Sequence, residues 1–160
     1  MNTRPACKVA ARLGIDHPIV QGPFGGGMST VELAATVSRL GGLGSYGAHA
    51  LAPERISEVT AEIRARTDAP FAMNLWISDH DPGGQSLSPE AFDRVYALFE
   101  PWYRELGVDK PEMPAHYHAD YASQIDALLE ARPPVFSFVF GIPDRRVLDE
   151  CRRLGIVTVG

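Results

Sequence analysis

Only two of the 160 residues are cysteine, Cys7 and Cys151. That is too few for a disulfide framework or a multi-cysteine metal site, and the pair has no CxxC spacing. A reducing, cytoplasmic compartment is the expectation. No apolar run approaches the roughly 18 to 20 residues that cross a bilayer; the longest, Val135 to Ile142, has the length of a buried strand. Basic residues are also scarce: 15 Lys and Arg against 20 Asp and Glu leave a net charge of −5, and the arginines are scattered from Arg4 to Arg153. Such a chain presents no basic patch to a phosphate backbone or an anionic membrane, so no nucleic acid and no membrane is expected as a partner. With 45% hydrophobic and 22% charged residues, the composition excludes disorder and collagen and fits one globular domain. Residues 1–15 carry Arg4, Lys8 and Arg12 and no acid before Asp16. They lack the apolar stretch and small-residue cleavage site of a leader and are read as a short N-terminal arm.

What is present is an alternation of short β-branched or apolar runs with stretches of helical period, the pattern of βα units around a parallel sheet. The first strand is expected at Ile19–Gly22. After a glycine loop, Ser29 and Glu32 are spaced as a capping box for a helix with Leu33, Val37 and Leu40 on one face, ended by Gly41 and Gly42. Leu43–Tyr46 reads as a second strand, followed by a helix opening at Pro53 with Ile56, Val59 and Ile63 inward and stopping near Pro70. Phe71–Trp76 is the third strand and Ser78 to Gln85 a polar loop. Ser88 and Pro89 open a helix bearing Phe92, Val95, Phe99 and Leu106, expected to bend or break near Pro101, where an intrahelical donor is lost. The stretch from Gly107 to Ala119 lacks periodicity. A helix using Ile125, Leu128 and Leu129 follows, then a fourth strand at Val135–Phe140. Asp144–Leu154 reads as a helix with Val147, Leu148, Cys151 and Leu154 inward, and Ile156–Val159 as a fifth strand.

A parallel strand buried on both faces needs a crossover helix and a neighbour, and Gly160 follows the fifth strand with neither. The expectation is therefore an α/β chain forming one incomplete TIM-type (β/α)8 barrel over residues 1–160, with only the N-terminal four to five βα units and a long loop–helix excursion at 77–120. A complete barrel runs to about 250 residues. A doubly wound five-stranded sheet is the alternative.

Most familiar chemistry is missing. Gly42, Gly44 and Gly47 match the dinucleotide fingerprint as a string, but they start at a helix end and enclose a strand instead of following one. No Walker loop and no GxSxG elbow occurs. His116, His118 and Asp120 could in principle ligand a metal, yet in an irregular loop they read as solvated surface, so no metal is expected. His17, His49 and His80 are read as capping or surface histidines. What remains lies at strand ends: Gln21–Gly27, Gly44–Gly47, Asn74–Trp76 and Phe138–Gly141, where a parallel barrel collects its active-site loops. At Gly22 and Pro23 the backbone can approach a flat ligand closely, and Asn74 offers an acceptor and donors at an otherwise apolar strand end, a mixture suited to an isoalloxazine edge. A flexible turn at Gly25–Gly27 and a helix-capping Asn74 account for the same residues equally well.

Gly14–Pro23, Gly26–Ala35, Gly41–Gly47, Pro70–Leu75, Pro133–Phe138 and Phe140–Pro143 through Ile156 together resemble the nitronate monooxygenases, formerly called 2-nitropropane dioxygenases, which are FMN-dependent (β/α)8 barrels. The resemblance implies that Gly22, Pro23 and Phe24 contact the FMN ring through their backbone, Phe24 standing where many relatives carry Met, and that Asn74 hydrogen-bonds the cofactor. Val139 occupies a position where many relatives have His. The family's catalytic His and its phosphate-binding loops lie in later segments, so no catalytic residue is assigned here and this chain alone is expected to be inactive. The implied reaction is oxidation of an alkyl nitronate, with molecular oxygen, to a carbonyl compound and nitrite. Two other readings stand beside it: a flavin-dependent enoyl-acyl-carrier-protein reductase, which has the same barrel and similar early motifs, and a non-catalytic half-barrel that self-associates through an exposed sheet edge.

Overall fold

The computed structural model describes residues 7–77, 87–114 and 120–160. The chain divides into two compact units, Met1–Ser78 with Ala119–Gly160, and Asp79–His118. In the first unit the elements are helices α1 (Lys8–Leu13) and α2 (Val31–Arg39), strand β1 (Gly44–Gly47), helix α3 (Pro53–Arg64) and strand β2 (Phe71–Trp76). The second unit contributes α4 (Pro89–Leu106), and the first resumes with α5 (Tyr121–Ala131), β3 (Val135–Val139), α6 (Arg145–Leu154) and β4 (Val157–Val159).

The four strands pair in chain order, β1-β2-β3-β4, and every pair is parallel. A doubly wound sheet reverses its strand order at a switch point so that helices cover both faces. Here the order never reverses, and right-handed crossovers bring the helices to one face. The packing agrees. Phe71, Met73 and Leu75 of β2 and Phe136 of β3 form one core with Ala34, Ala35, Ile56, Val59, Ile63, Ile125, Leu128 and Cys151 from α2, α3, α5 and α6. Alternation puts the other residues of each strand on the opposite face. There Leu43, Ala72 and Val135, with Val157 beside them, pack against Ala10, Leu13 and Ile15 at α1. The residues read as an N-terminal arm thus supply a helix that closes the lower end of the inner face.

The sheet corrects three other expectations. Ile19–Gly22 is not a strand: it reaches β1 through one parallel bridge, Val20 to Leu43, and two flanking backbone bonds, Leu43 to Ile19 and Gln21 to Leu43, each 2.9 Å. Pro18 and Pro23 have no amide hydrogen and leave no room for a longer ladder. The cap of α2 is Thr30, whose Oγ1 accepts from the Leu33 amide at 3.0 Å, because the Ser29 hydroxyl is engaged by the glycine loop. Nor does α2 bury Leu33 and Leu40, which are 40% and 72% exposed. It presents the small residues Ala34, Ala35 and Ser38 to the sheet. The reason is Gly44: a Cβ there would sit 1.8 Å from the Ala34 carbonyl oxygen, so helix backbone rests on strand backbone.

The second unit is described by itself. Ser88 caps α4, its Oγ accepting from the Ala91 amide at 3.2 Å, and the helix runs unbroken through Pro101 to Gly107, whose φ of 65° ends it. Pro101 costs the single bond to the Ala97 carbonyl, which the full turns on either side absorb. The expected Ser78–Gln85 loop, with Asp79, His80 and Asp81, and the His116–His118 trio's histidines lie outside the described residues. Asp120 caps α5, its Oδ2 accepting from the Ser123 amide at 2.8 Å. No helix among the described residues is long and apolar enough to cross a membrane.

Replacing Gly44 by Ala forces α2 off β1, and we expect it to lower stability by about 3 kcal/mol, read as a reduced urea midpoint with unchanged slope. A midpoint within error of the parent would contradict the backbone-on-backbone packing.

Candidate functional site

Above the apolar layer of Leu43, Ala72, Val135 and Val157, the inner face turns polar. Asn74 pairs in register with Ser137, and its Nδ2 donates to Ser137 Oγ at 3.0 Å. Asn74 and Ser45 are only 2% and 1% exposed. Burial of an amide side chain is tolerated because its neighbour accepts from it. Asn74 therefore sits on the inner face of a strand and does not cap a helix.

The glycine loop is tied down beside it. Gln21, which the sequence shows only as part of a strand end, bridges two elements: its Oε1 accepts from the Ser45 amide at 2.9 Å, and its Nε2 donates to Ser29 Oγ at 3.1 Å and to the Gly22 carbonyl. Ser29 Oγ donates in turn to the same carbonyl at 3.2 Å. Gly47, the register partner of Asn74, explains how close the loop comes: a Cβ on Gly47 would lie 2.7 Å from the Pro23 carbonyl oxygen and 2.9 Å from the Gly25 nitrogen. The structure thus brings Gly22, Pro23 and Phe24 to the same end of the sheet as Asn74, with the backbone of the loop laid across β1. The Phe24 side chain folds back over Gly22 and remains 62% exposed.

Three rings line the same strand ends. His49, just beyond β1, stacks on Trp76 at the end of β2, with centroids 3.6 Å apart and planes within 3°. Phe140, just beyond β3, meets Trp76 edge-on at 5.0 Å and 88°. Phe140 has φ of 69°, a left-handed conformation that a bulky side chain adopts only where its surroundings impose it. The peptide carrying His49 is fixed by buried Gln124 of α5, whose Nε2 donates to the carbonyls of His49 at 3.0 Å and Leu51 at 2.8 Å. The imidazole edge abuts Gly25, where a Cβ would fall 2.2 Å from His49 Cε1. His49 Nδ1 is buried and has no hydrogen-bond partner among the described residues.

Sequence reasoning missed His49, Gln21, Ser137 and Gln124. Nothing in the spacing of a single His before Pro53 marks a ring stack, and Gln21 and Gln124 lie 24 and 75 positions from the Ser45 amide and the His49 carbonyl that they bind. No group of three or more His, Cys, Asp or Glu among the described residues could hold a metal ion.

Desolvation by burial lowers the His49 pKa below its ordinary value of 6.5. The folded protein therefore binds this proton less readily than the unfolded chain. The resulting stability is present above the unfolded pKa and lost as pH falls through the folded one. Thermal melting is expected to drop between about pH 7 and pH 5 more steeply in the parent than in His49→Phe; parallel profiles would show that His49 does not titrate differently on folding.

Comparison with known proteins gives this geometry a context. The chain is 30% identical over 153 residues to a probable nitronate monooxygenase of Staphylococcus saprophyticus, covering 96% of this chain and 42% of that protein. It is 33% identical over 147 residues to a nitronate monooxygenase of Paraburkholderia phytofirmans, covering 90% and 39%. The chain thus spans about two-fifths of the length of the curated relatives it matches. Among solved structures, nitroalkane oxidase from Streptomyces ansochromogenes superposes with a TM-score of 0.73 at 28% identity, over 93% of this chain and 41% of that one. FabK from Thermotoga maritima, as an M276A mutant, does so with a TM-score of 0.63 at 25% identity, over 98% and 39%. The profile of the nitronate monooxygenase family matches residues 8–160, so the chain belongs to the nitronate monooxygenase family.

Proposed function

We propose that these residues form the ring-binding side of a TIM-type (β/α)8 barrel, of which they make four to five βα units, in an FMN-dependent oxidoreductase that oxidises alkyl nitronates with molecular oxygen. Beyond family membership, one observation carries this reading. The Pro23–Gly25 backbone lies on Gly47, the register partner of Asn74, at the strand ends. In parallel α/β folds that is the end where ligands bind.

The residues present suit a flavin. Gly47 lets the Pro23–Gly25 backbone close on the strand end, with the Phe24 ring over Gly22 and the His49 ring against Gly25, and such a mixture of backbone polar groups and flat apolar surface suits a flat, partly polar ring. Gly22, Pro23 and Phe24 would hold the ring through their backbone, and Asn74 would hydrogen-bond it. When bound, the flavin supplies the redox chemistry. The chain supplies position: Gln21 and Ser29 keep the loop in place, and the pairing of Asn74 with Ser137 orients the amide. Gln21, Asn74 and Ser137 are not bases at neutral pH. A nitronate has already lost its α proton, whereas a neutral nitroalkane needs a general base to remove it.

The enoyl reductase reading has weaker support, since FabK is the more distant superposition. Reduced-nicotinamide oxidation with an enoyl thioester would favour it.

Binding is the direct test. The chain titrated with FMN is expected to show saturable quenching of flavin fluorescence, weakened about tenfold in Asn74→Ala by loss of one buried hydrogen bond. Nitrite release from propyl-2-nitronate under air checks the reaction. Failure to bind FMN would overturn the proposal.

A further inference from the structure

The second unit holds a surface for which flavin binding has no use. No residue of α4 is buried, yet Val95, Leu98, Phe99, Trp102 and Leu106 recur at helical spacing and fall within an arc of about 100°. All five are exposed, Trp102 at 57% and Leu106 at 75%. A contiguous apolar stripe of this kind marks an interaction surface. With four acids and two arginines on the helix, it is unsuited to an anionic bilayer, which selects a basic polar face. A protein surface is the fitting partner.

The edges of the stripe say which protein. One edge is already closed: Phe92 and Tyr96 lie under Lys110, whose Nζ is 5.7 and 5.0 Å from their ring centroids, and Tyr103 meets Tyr96 edge-on at 5.4 Å. The other edge carries Arg94 and Glu105, about 20° apart around the helix axis. The remaining charges of α4 are engaged, Asp93 with Lys110 at 2.6 Å, Arg104 with Glu100 at 3.0 Å, and Glu90 with Ser88 and its own amide. Arg94 and Glu105 have no ion-pair partner among the described residues. Eleven residues of helix hold them about 16 Å apart, too far to pair with each other.

An antiparallel second copy satisfies both at once. A two-fold axis across the stripe brings like edges together and sets residue i against j and j against i. With that axis between Phe99 and Glu100, Arg94 of each copy stands level with Glu105 of the other. The same register interleaves the apolar residues. Along the seam come Leu106 of the second copy, Val95, Trp102 of the second copy, then Leu98 and Phe99, at axial steps of about 3 Å or less, and the order reverses beyond the axis. One register thus answers the free charges and the packing together.

We propose that α4 is a self-association surface on which a second copy of this chain docks antiparallel, with Phe99 and Trp102 near the centre and an Arg94–Glu105 pair at each end. The surface is independent of flavin binding.

Sedimentation of the full chain over a range of concentrations tests this. A helix-pair interface is small, so a dimer dissociating at about 50 µM is expected, and Trp102→Ala abolishes association at that concentration. Arg94→Glu and Glu105→Arg each set like charges together twice and are expected to weaken the dimer about tenfold. Mixed in equal amounts, the two charge variants regain the parent's affinity, because every like pair becomes an opposite pair in the mixed dimer. A dimer indifferent to both charge reversals, or variants that the mixture does not rescue, would place the contact elsewhere and overturn the proposal. So would a chain that stays monomeric up to about 500 µM, whether Trp102 is then open to an aqueous quencher or shielded by another part of the polypeptide.

Discussion

Because β1 to β4 pair in chain order and always in parallel, each crossover returns its helix to the same side, and the two faces of the sheet acquire different tasks. The outer face carries the large apolar residues, Phe71, Met73, Leu75 and Phe136, and buries them under α2, α3, α5 and α6. The inner face is covered differently, by α1 below and by the Pro23–Gly25 backbone at the β1 end. Its lower layer is largely apolar and closed by α1, while the next layer carries Asn74 and Ser137 beside Gly47. The Asn74–Ser137 pair is confined to one end of one face by the strand pairing itself.

That confinement depends on absent side chains as much as on present ones. Gly44 lets α2 settle directly on β1, and Gly47, three residues on and facing the other way, lets the Pro23–Gly25 backbone settle on the strand end. Gln21 locks the second approach by bonding strand and loop together. The loop presents backbone polar groups beside a buried amide pair, and the rings of His49, Trp76 and Phe140 border it. A flat, partly polar ligand needs these two kinds of surface at once.

Much of this was legible along the chain. Ile56, Val59 and Ile63 recur at helical spacing and are wholly buried; Phe71–Trp76 forms the strand its composition suggests. These succeed because local period and tertiary packing ask for the same residues. Where they disagree, pattern misleads. In α2 the bulky Leu33 and Leu40 suggest the inward face, but the close approach at Gly44 admits only Ala34, Ala35 and Ser38. At Ile19–Gly22 a β-branched run suggests a strand, but flanking prolines limit it to a bridge. Pro101 suggests a break, yet an 18-residue helix absorbs one missing bond.

The alternation of helices with β1 to β4, the α/β class with a parallel sheet, the family and the place of Asn74 in a strand are encoded in residues near one another in the chain, and could be read there. The polar pair of Asn74 with Ser137, the bridge from Gln21 to Ser45 and the stack of His49 on Trp76 could not. Each joins residues from different βα units, 24 to 63 positions apart for the two hydrogen bonds, and their distance is set by strand register and crossover packing, which no local pattern records. That is why a histidine read in the sequence as a capping or surface residue stands in the fold half-buried and stacked on Trp76.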